Sequence, residues 1–259
     1  MIDAEKFDAL MRFKGWALFA DVVDPQLLKR IPADLDAAHE RCRAIQLKNG
    51  LTDNMSGTTH HLVGTRDSLE EFLRQRYLIP HVERFLRGKC ILNTYGAVTN
   101  MPGQAAYVHK VHRDVRSFTA DLPLMINMLV MLDDFTLQNG ATYILSGSHH
   151  VAEQPCDELF YENAERVVGK RGTIVLFDSR VWHAAGNNLA DAPRRALTLT
   201  FTRPFMKQQL DYPRLIGDEY GATLDEDMRQ LLGFNARIPA NLDEWYQPPE
   251  KRFYKRDQG

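Results

Sequence analysis

From residue 90 to about 203, apolar residues come in short runs broken by turn-forming residues. "CILNTYGAVTN", "YVHKVHRDVRSF", "LPLMINMLVML", "ATYILSG", "GTIVLFD" and "RRALTLTFT" each read as a strand, with PG, NG, SGS and GNN as punctuation. Short strands in succession without alternating helices predict an antiparallel sandwich or barrel, not a doubly wound sheet. Residues 1–89 follow a helical rhythm instead. Phe7, Leu10 and Met11 form a short apolar stripe, and Asp24 with Pro25 makes a helix start ahead of Leu27, Leu28 and Ile31. Ser68 and Glu71 have the spacing of a capping box opening "LEEFLRQRYL". Between these helices, residues 46–66 are polar and aperiodic, which predicts a long surface loop whose His60 and His61 are solvated. Residues 204–259 return to helix and irregular tail, with "DEDMRQLLGF" the clearest helical piece.

Composition narrows this picture without changing it. A chain of 259 residues with 44% hydrophobic positions is long enough for one large core, so a single domain over 1–259 is expected. The formal charge of −2 supplies no field to hold nucleic acid or an anionic membrane. Cys42, Cys90 and Cys156 are widely spaced and form no CxxC pair, which argues against a disulfide scaffold or a structural zinc site. The N-terminal stretch carries acids and no long apolar run, so neither signal peptide nor membrane span is read there. The cytoplasm is the expected location.

Chemistry enters with His112, Arg113 and Asp114. The same tripeptide occurs in protein-kinase catalytic loops, but that use needs an Asn five residues after the Asp, where Thr119 stands, and a DFG, where "DDF" is followed by Thr136. The other use is metal binding. On a strand, residues i and i+2 face the same way, so His112 and Asp114 project together while Arg113 turns away. His183, at the end of the "GTIVLFD" strand region, is the best third ligand. Two histidines and one carboxylate on one side of a metal are the donor set of non-haem Fe(II) oxygenases. Farther on, alternation places Arg194, Ala196, Thr198 and Thr200 on one face and Arg195, Leu197, Leu199 and Phe201 on the other. Small polar neighbours leave room beside Arg194 for a carboxylate, whereas the Leu/Phe face suits a covering helix.

Taken together, the HxD, "NGATYILSGSHH", "WHAAGNN" and "RRAL" resemble the phytanoyl-CoA dioxygenase family of Fe(II)/2-oxoglutarate oxygenases, and "FKGWALFADVVDPQLLKRI" is similar to that family's N-terminal opening. The resemblance implies a mainly β fold with flanking helices around a double-stranded β-helix, the cupin-like jelly roll. It implies His112, Asp114 and His183 as the iron triad, Arg194 on the distal carboxylate of 2-oxoglutarate, and Asn127 as a further cosubstrate contact. Dioxygen would be the second cosubstrate and hydroxylation of a small molecule the outcome; Asp114 disfavours halogenation, since halogenating relatives lack that carboxylate. A redox-silent cupin-type metal protein is the alternative. For substrate contacts the chain offers Lys110 and Arg116, which share the parity of His112 and Asp114, together with His109, Tyr95, Gln208 and Gln209. Neither the substrate nor the oligomeric state can be read from the chain.

Overall fold

The computed structural model describes residues 2–52, 55, 57–104 and 106–259. Nine strands are present among them: β1 (Trp16–Phe19), β2 (Thr58–His60), β3 (Ile91–Asn100), β4 (Met125–Met131), β5 (Thr142–Ile144), β6 (Glu165–Val167), β7 (Ile174–Asp178), β8 (His183–Ala184) and β9 (Arg194–Thr202). The larger sheet runs β1-β7-β4-β9-β3-β2 and the smaller β6-β5-β8, every pairing antiparallel. The two sheets face each other as an open jelly-roll sandwich, and no pairing among the described residues closes it into a barrel.

Alternation along the strands sorts side chains into two cores. Ala17 and Phe19, Ile126, Met128 and Val130, Ile174 and Leu176, and Leu197, Leu199 and Phe201 face the helices. Their neighbours Leu129 and Met131, Val175 and Phe177, and Ala196 face the smaller sheet, meeting Ile144 and Val167. A one-residue slip in any of these strands would exchange the two sets, so burial on both sides fixes the register.

The helical layer is α1 (Ala4–Phe13), α2 (Pro25–Lys48), α3 (Ser68–Arg74) and α4 (Ile79–Leu86), joined on the same core by Tyr212, Leu224, Met228 and Phe234 of the C-terminal segment. Asp24 caps α2 by accepting from Gln26 N–H at 2.8 Å, with Pro25 in the first turn. Pro32 lies inside α2 and cannot donate to the carbonyl of Leu28; the Arg171 guanidinium donates to that carbonyl instead.

Several sequence expectations need correction. Asp67, not Ser68, caps α3, accepting from Leu69 N–H at 2.9 Å, while Ser68 bonds Asp34 and Glu71 pairs with Arg30. The 46–66 loop is shorter than expected: α2 continues to Lys48, and β2 pairs with β3, with residues 53, 54 and 56 outside the described set. Gly96 permits that pairing, because a Cβ there would sit 2.5 Å from the Thr59 carbonyl. The segment read as a strand over 107–118 is a 3-10 turn (Tyr107–His109) followed by an extended connection. It is tied down where His112 pairs with His183 and where the Asp114 and Val115 amides donate to Ser179 O. Strand β1 lies in the part read as helical, and the hydrophobic pattern marks neither β6 nor the short helix α5 (Asp157–Asn163). Cys42, Cys90 and Cys156 are all free thiols, and no helix among the described residues is long and apolar enough to cross a membrane.

Candidate metal centre

Between the sheets opens a cavity of about 900 Å³, and His112, Asp114 and His183 lie together on its wall. The two histidines are opposed across an antiparallel bridge: His112 N–H donates to His183 O at 3.0 Å and His183 N–H returns to His112 O at 2.9 Å. Backbone pairing therefore sets the spacing of the rings, whose centroids are 4.3 Å apart. Asp114 reaches between them, Oδ1 3.9 Å from His112 Nε2 and Oδ2 3.8 Å from His183 Nε2. One ligand atom from each residue falls within 4.8 Å of the others.

The protonation pattern fits metal binding. His112 Nδ1 lies 2.7 Å from Lys110 O and His183 Nδ1 lies 3.1 Å from Val181 O. A carbonyl only accepts, so both Nδ1 atoms carry the proton and both Nε2 lone pairs are available beside Asp114. Burial, with the neighbouring His112 ring, pulls the His183 pKa down to about 4 against the opposing pull of Asp114, which keeps the imidazole neutral as a ligand requires. The edge of Phe177, 5.0 Å away centroid to centroid, fixes the His183 ring from the side.

Asp114 is held in turn. Asn127 donates from Nδ2 to Asp114 Oδ2 at 2.5 Å and accepts at Oδ1 from Ser179 Oγ at 3.0 Å. Expected as a cosubstrate contact, Asn127 lines the cavity but is oriented by these two bonds as a brace for the carboxylate. Ser179 carries no signal in the sequence because nothing in the chain pairs it with Asn127; only the β4–β7 register brings them together.

Arg194, Ala196, Thr198 and Thr200 all line the cavity, and Leu197, Leu199 and Phe201 belong to the helix-facing core. The two arginines have opposite situations. Arg195 grips Asp133 with two bonds of 3.0 and 2.9 Å. Arg194 is only 2% exposed, lies 4.1 Å over the Phe135 ring, and makes no ion pair or side-chain hydrogen bond among the described residues. Its Nε is buried without a partner, and burial lowers its pKa to about 10. Even so it stays cationic at neutral pH, so the fold keeps a desolvated guanidinium with no ion-pair partner among the described residues, Asp133 acting on it only from a distance, on the cavity that the triad also lines. Phe135, its platform, stands out in the sequence only as the last residue of a "DDF" that is not a DFG.

The remaining candidates divide. Lys110, Arg116 and Gln209 line the mouth of the cavity. So does His60, which is half-buried in β2 rather than solvated, and whose pKa burial lowers; the Tyr107 hydroxyl is 3.5 Å from its Nε2. His61 meets the Tyr212 hydroxyl at 3.0 Å. Tyr95 is fully buried on the helix side, donating to Leu69 O, and takes no part in the cavity. The cause is a bulge at Asn93: β3 pairs Leu92 with Phe201 but Thr94 with Thr200, which turns Thr94 to the cavity and Tyr95 to the core. His109 lies outside the cavity lining, its Nδ1 accepting from Ala106 N–H at 2.9 Å within the 3-10 turn. Gln208 is structural, bonding Leu92 O and Leu232 O. Arg113 turns from the ligands to stack 4.8 Å over Trp182 and donate to Val151 O and Ala152 O.

A family model described as phytanoyl-CoA dioxygenase (PhyH) matches residues 11–196. An uncharacterized protein of Mycobacterium tuberculosis is 40% identical over 148 residues, a match covering 57% of this chain and 54% of that one. The chain thus spans about half the length of that relative. A protein named dioxygenase trt7, from Aspergillus terreus, is 25% identical over 209 residues, covering 74% of this chain and 70% of the other. Among solved structures, AviO1 from Streptomyces viridochromogenes Tue57 aligns with a TM-score of 0.60 at 22% identity, over 80% of this chain and 98% of that one, a likeness of fold.

Proposed function

This chain belongs to the phytanoyl-CoA dioxygenase family, and from that premise we propose that it is an Fe(II)- and 2-oxoglutarate-dependent dioxygenase that hydroxylates a freely diffusing small molecule in the cytoplasm. The observation that carries the reading is Arg194: a buried, unpaired guanidinium on the same cavity as a two-histidine, one-carboxylate donor set. Such a cation asks for an anion from outside the chain, and the planar fork matches a carboxylate. A redox-silent metal protein has no use for it.

His112, Asp114 and His183 would hold the iron. Bound there, Fe(II) with 2-oxoglutarate and dioxygen supplies the oxidation, in which one oxygen atom enters the substrate as hydroxyl and the other enters succinate as carbon dioxide is released. The chain's own residues do the rest. Lys110 O and Val181 O fix the histidine tautomers, Asn127 and Ser179 fix the carboxylate, and Arg194 on Phe135 orients the distal end of the cosubstrate. Phe177, Leu129, Met125 and Trp182 exclude water from the apolar side of the cavity. The intact carboxylate at Asp114 favours hydroxylation over halide transfer.

The test is an anaerobic titration of the Fe(II)-loaded protein with 2-oxoglutarate, followed by the visible charge-transfer band, and then succinate release in air. Saturable binding and slow succinate formation are the expected results. A protein that holds zinc or manganese and ignores 2-oxoglutarate would replace this reading with the cupin-type one.

A further inference from the structure

The charged groups on the cavity are unevenly distributed. Among the described residues its lining includes Lys110, Arg113, Arg116 and Arg194, and Asp114 is the one acid there. Two of the four cations are accounted for within the site: Arg113 is 7% exposed and committed to Trp182 and backbone carbonyls, and Arg194 lies at the deep end over Phe135. Lys110 and Arg116 remain. Both are exposed, both line the mouth, and neither has a carboxylate within 4.0 Å among the described residues. On the outer surface some exposed cations, such as Lys14 and Arg84, meet an acid and others, such as Lys29 and Lys48, meet none among the described residues, so what sets Lys110 and Arg116 apart is their place on the cavity. The two bracket the ligand residues His112 and Asp114 in the chain, so they stand on the rim that an entering molecule passes on its way to the metal centre.

We propose that the substrate is a small organic anion, held at its charged end by Lys110 and Arg116 while its apolar body lies along Val111, Met125, Leu129 and Phe177. Binding stands on these residues alone, and only the chemistry after binding rests on the oxygenase reading. A cavity of about 900 Å³ accommodates both a cosubstrate and a small substrate, being at the upper end of the usual range for small-molecule sites. Two cations on one rim, with no carboxylate within 4.0 Å of either among the described residues and with Asp114 given to the metal, attract anions and repel ammonium compounds, and apolar walls select a body without further charge. Thr94, Thr198 and Thr200 offer hydroxyls on the same sheet face, where Thr198 stands opposite Leu129 across β9 and β4, and there a polar substituent of the body is tolerated.

The experiment compares four ligands that share one body: 3-phenylpropionate, 3-phenylpropyl phosphate, 3-phenylpropan-1-ol and 3-phenylpropylammonium. Each is titrated calorimetrically, without oxygen, into Fe(II)-loaded full-length protein, with and without saturating 2-oxoglutarate. With Arg194 occupied by cosubstrate, at least one anion is expected to bind about tenfold or more tighter than the alcohol and the amine, and whichever anion wins tells carboxylate from phosphate. In the Lys110→Gln/Arg116→Gln double variant the preference should shrink to about twofold, while Lys29→Gln, on the exposed side of α2, leaves it intact. Equal binding of alcohol and anion, or a preference that survives the double variant, overturns the inference. The two readings fail separately. Binding of 2-oxoglutarate without anion preference removes only the substrate class; anion preference without 2-oxoglutarate binding removes only the oxygenase reading.

Discussion

The deep end and the mouth of the cavity are built in different ways. At the deep end Asn127, Phe177, His183, Arg194 and Ala196 are at most 8% exposed and stand on or beside strands whose other face packs against helices. At the mouth Lys110, Arg116 and Gln209 are exposed and Tyr107 is 43% exposed; the connection that carries most of them lies outside both sheets and is tied at Val108, His112, Arg113, Asp114 and Val115, while the side chains of Lys110 and Arg116 make no bond among the described residues. The deep end is thus enforced by the same alternation that builds the core, so its chemistry cannot drift without cost to folding. The mouth answers to few such constraints. His183, Arg194 and Asn127 are part of the framework, whereas His112 and Asp114 share a connection with Lys110 and Arg116, so on that segment the ligand positions are fixed by their bonds and only the exposed side chains between and beside them are free to change.

Substitutions should separate the two ends. The largest effect is expected from His183→Ala, which leaves two donors and should lower succinate formation by more than about a thousandfold, with metal stoichiometry falling in parallel; unchanged turnover would remove the metal centre from the mechanism. Next comes Arg180→Ala. Arg180 and Asp178 are 6% and 1% exposed and joined by bonds of 2.6 to 3.2 Å, so deletion strands a buried carboxylate next to Ser179. Urea unfolding should show a loss of about 3–5 kcal/mol, and a loss below about 1 kcal/mol would mean the deep end is less rigidly founded than its burial implies.

Smaller differences sharpen the contrast. Arg194→Ala should weaken 2-oxoglutarate binding by about 2–4 kcal/mol, and Arg195→Ala much less, because its guanidinium is already engaged by Asp133; equal losses would show that facing the cavity is not what matters. Asn127→Ala should reduce Fe(II) affinity about 10- to 100-fold with the three ligands intact, measured by competition with a chelator. At the mouth, Arg116→Gln should move stability by no more than about 0.5 kcal/mol while altering which small molecules stimulate succinate release. A large stability change there would erase the distinction between the two ends.

Legibility in the sequence divides along the same line. His112 with Asp114, and the contrast of Arg194 with Arg195, are legible because each depends on a period of two over a few residues; His183 is legible from its place after the "GTIVLFD" strand and from the family resemblance. The structure gathers His112, Asp114, His183 and Arg194 on one cavity and turns Arg195 to Asp133. The face of Tyr95 is not legible, because a count along β3 from Leu92 crosses the extra residue at Asn93, and a bulge leaves no mark in hydrophobic pattern. His109 stands in a 3-10 turn where the sequence reads as strand, and its ring is held by the Ala106 amide, a local bond that no hydrophobic pattern announces. The cap of α3 was missed by one residue, since Asp67 and Ser68 are both competent and only tertiary contact with Asp34 decides between them. Strands β1 and β2, of four and three residues, are too short to show a period and exist because β7 and β3 present open edges. The brace from Ser179 through Asn127 to Asp114 depends on distance in space alone.

The bulge at Asn93 also bears on how such a protein can evolve. Upstream of it β3 shows Leu92 to the helices; downstream it shows Tyr95 to the helices and Thr94 to the cavity. Asn93 is the spare letter in that line: without it Leu92 and Thr94 would stand consecutively opposite Phe201 and Thr200, and Leu92, Thr94 and Tyr95 would keep the faces they hold now. An insertion farther along β3, paired without a second bulge, would instead put every residue beyond it in the wrong phase. Lineages descending from this chain are free to lengthen or shorten the connection after β3 ahead of Val108, with His112 and Asp114 kept in register on His183 and Ser179, and so explore new substrates. In the strand itself a letter can be dropped only where one is already spare.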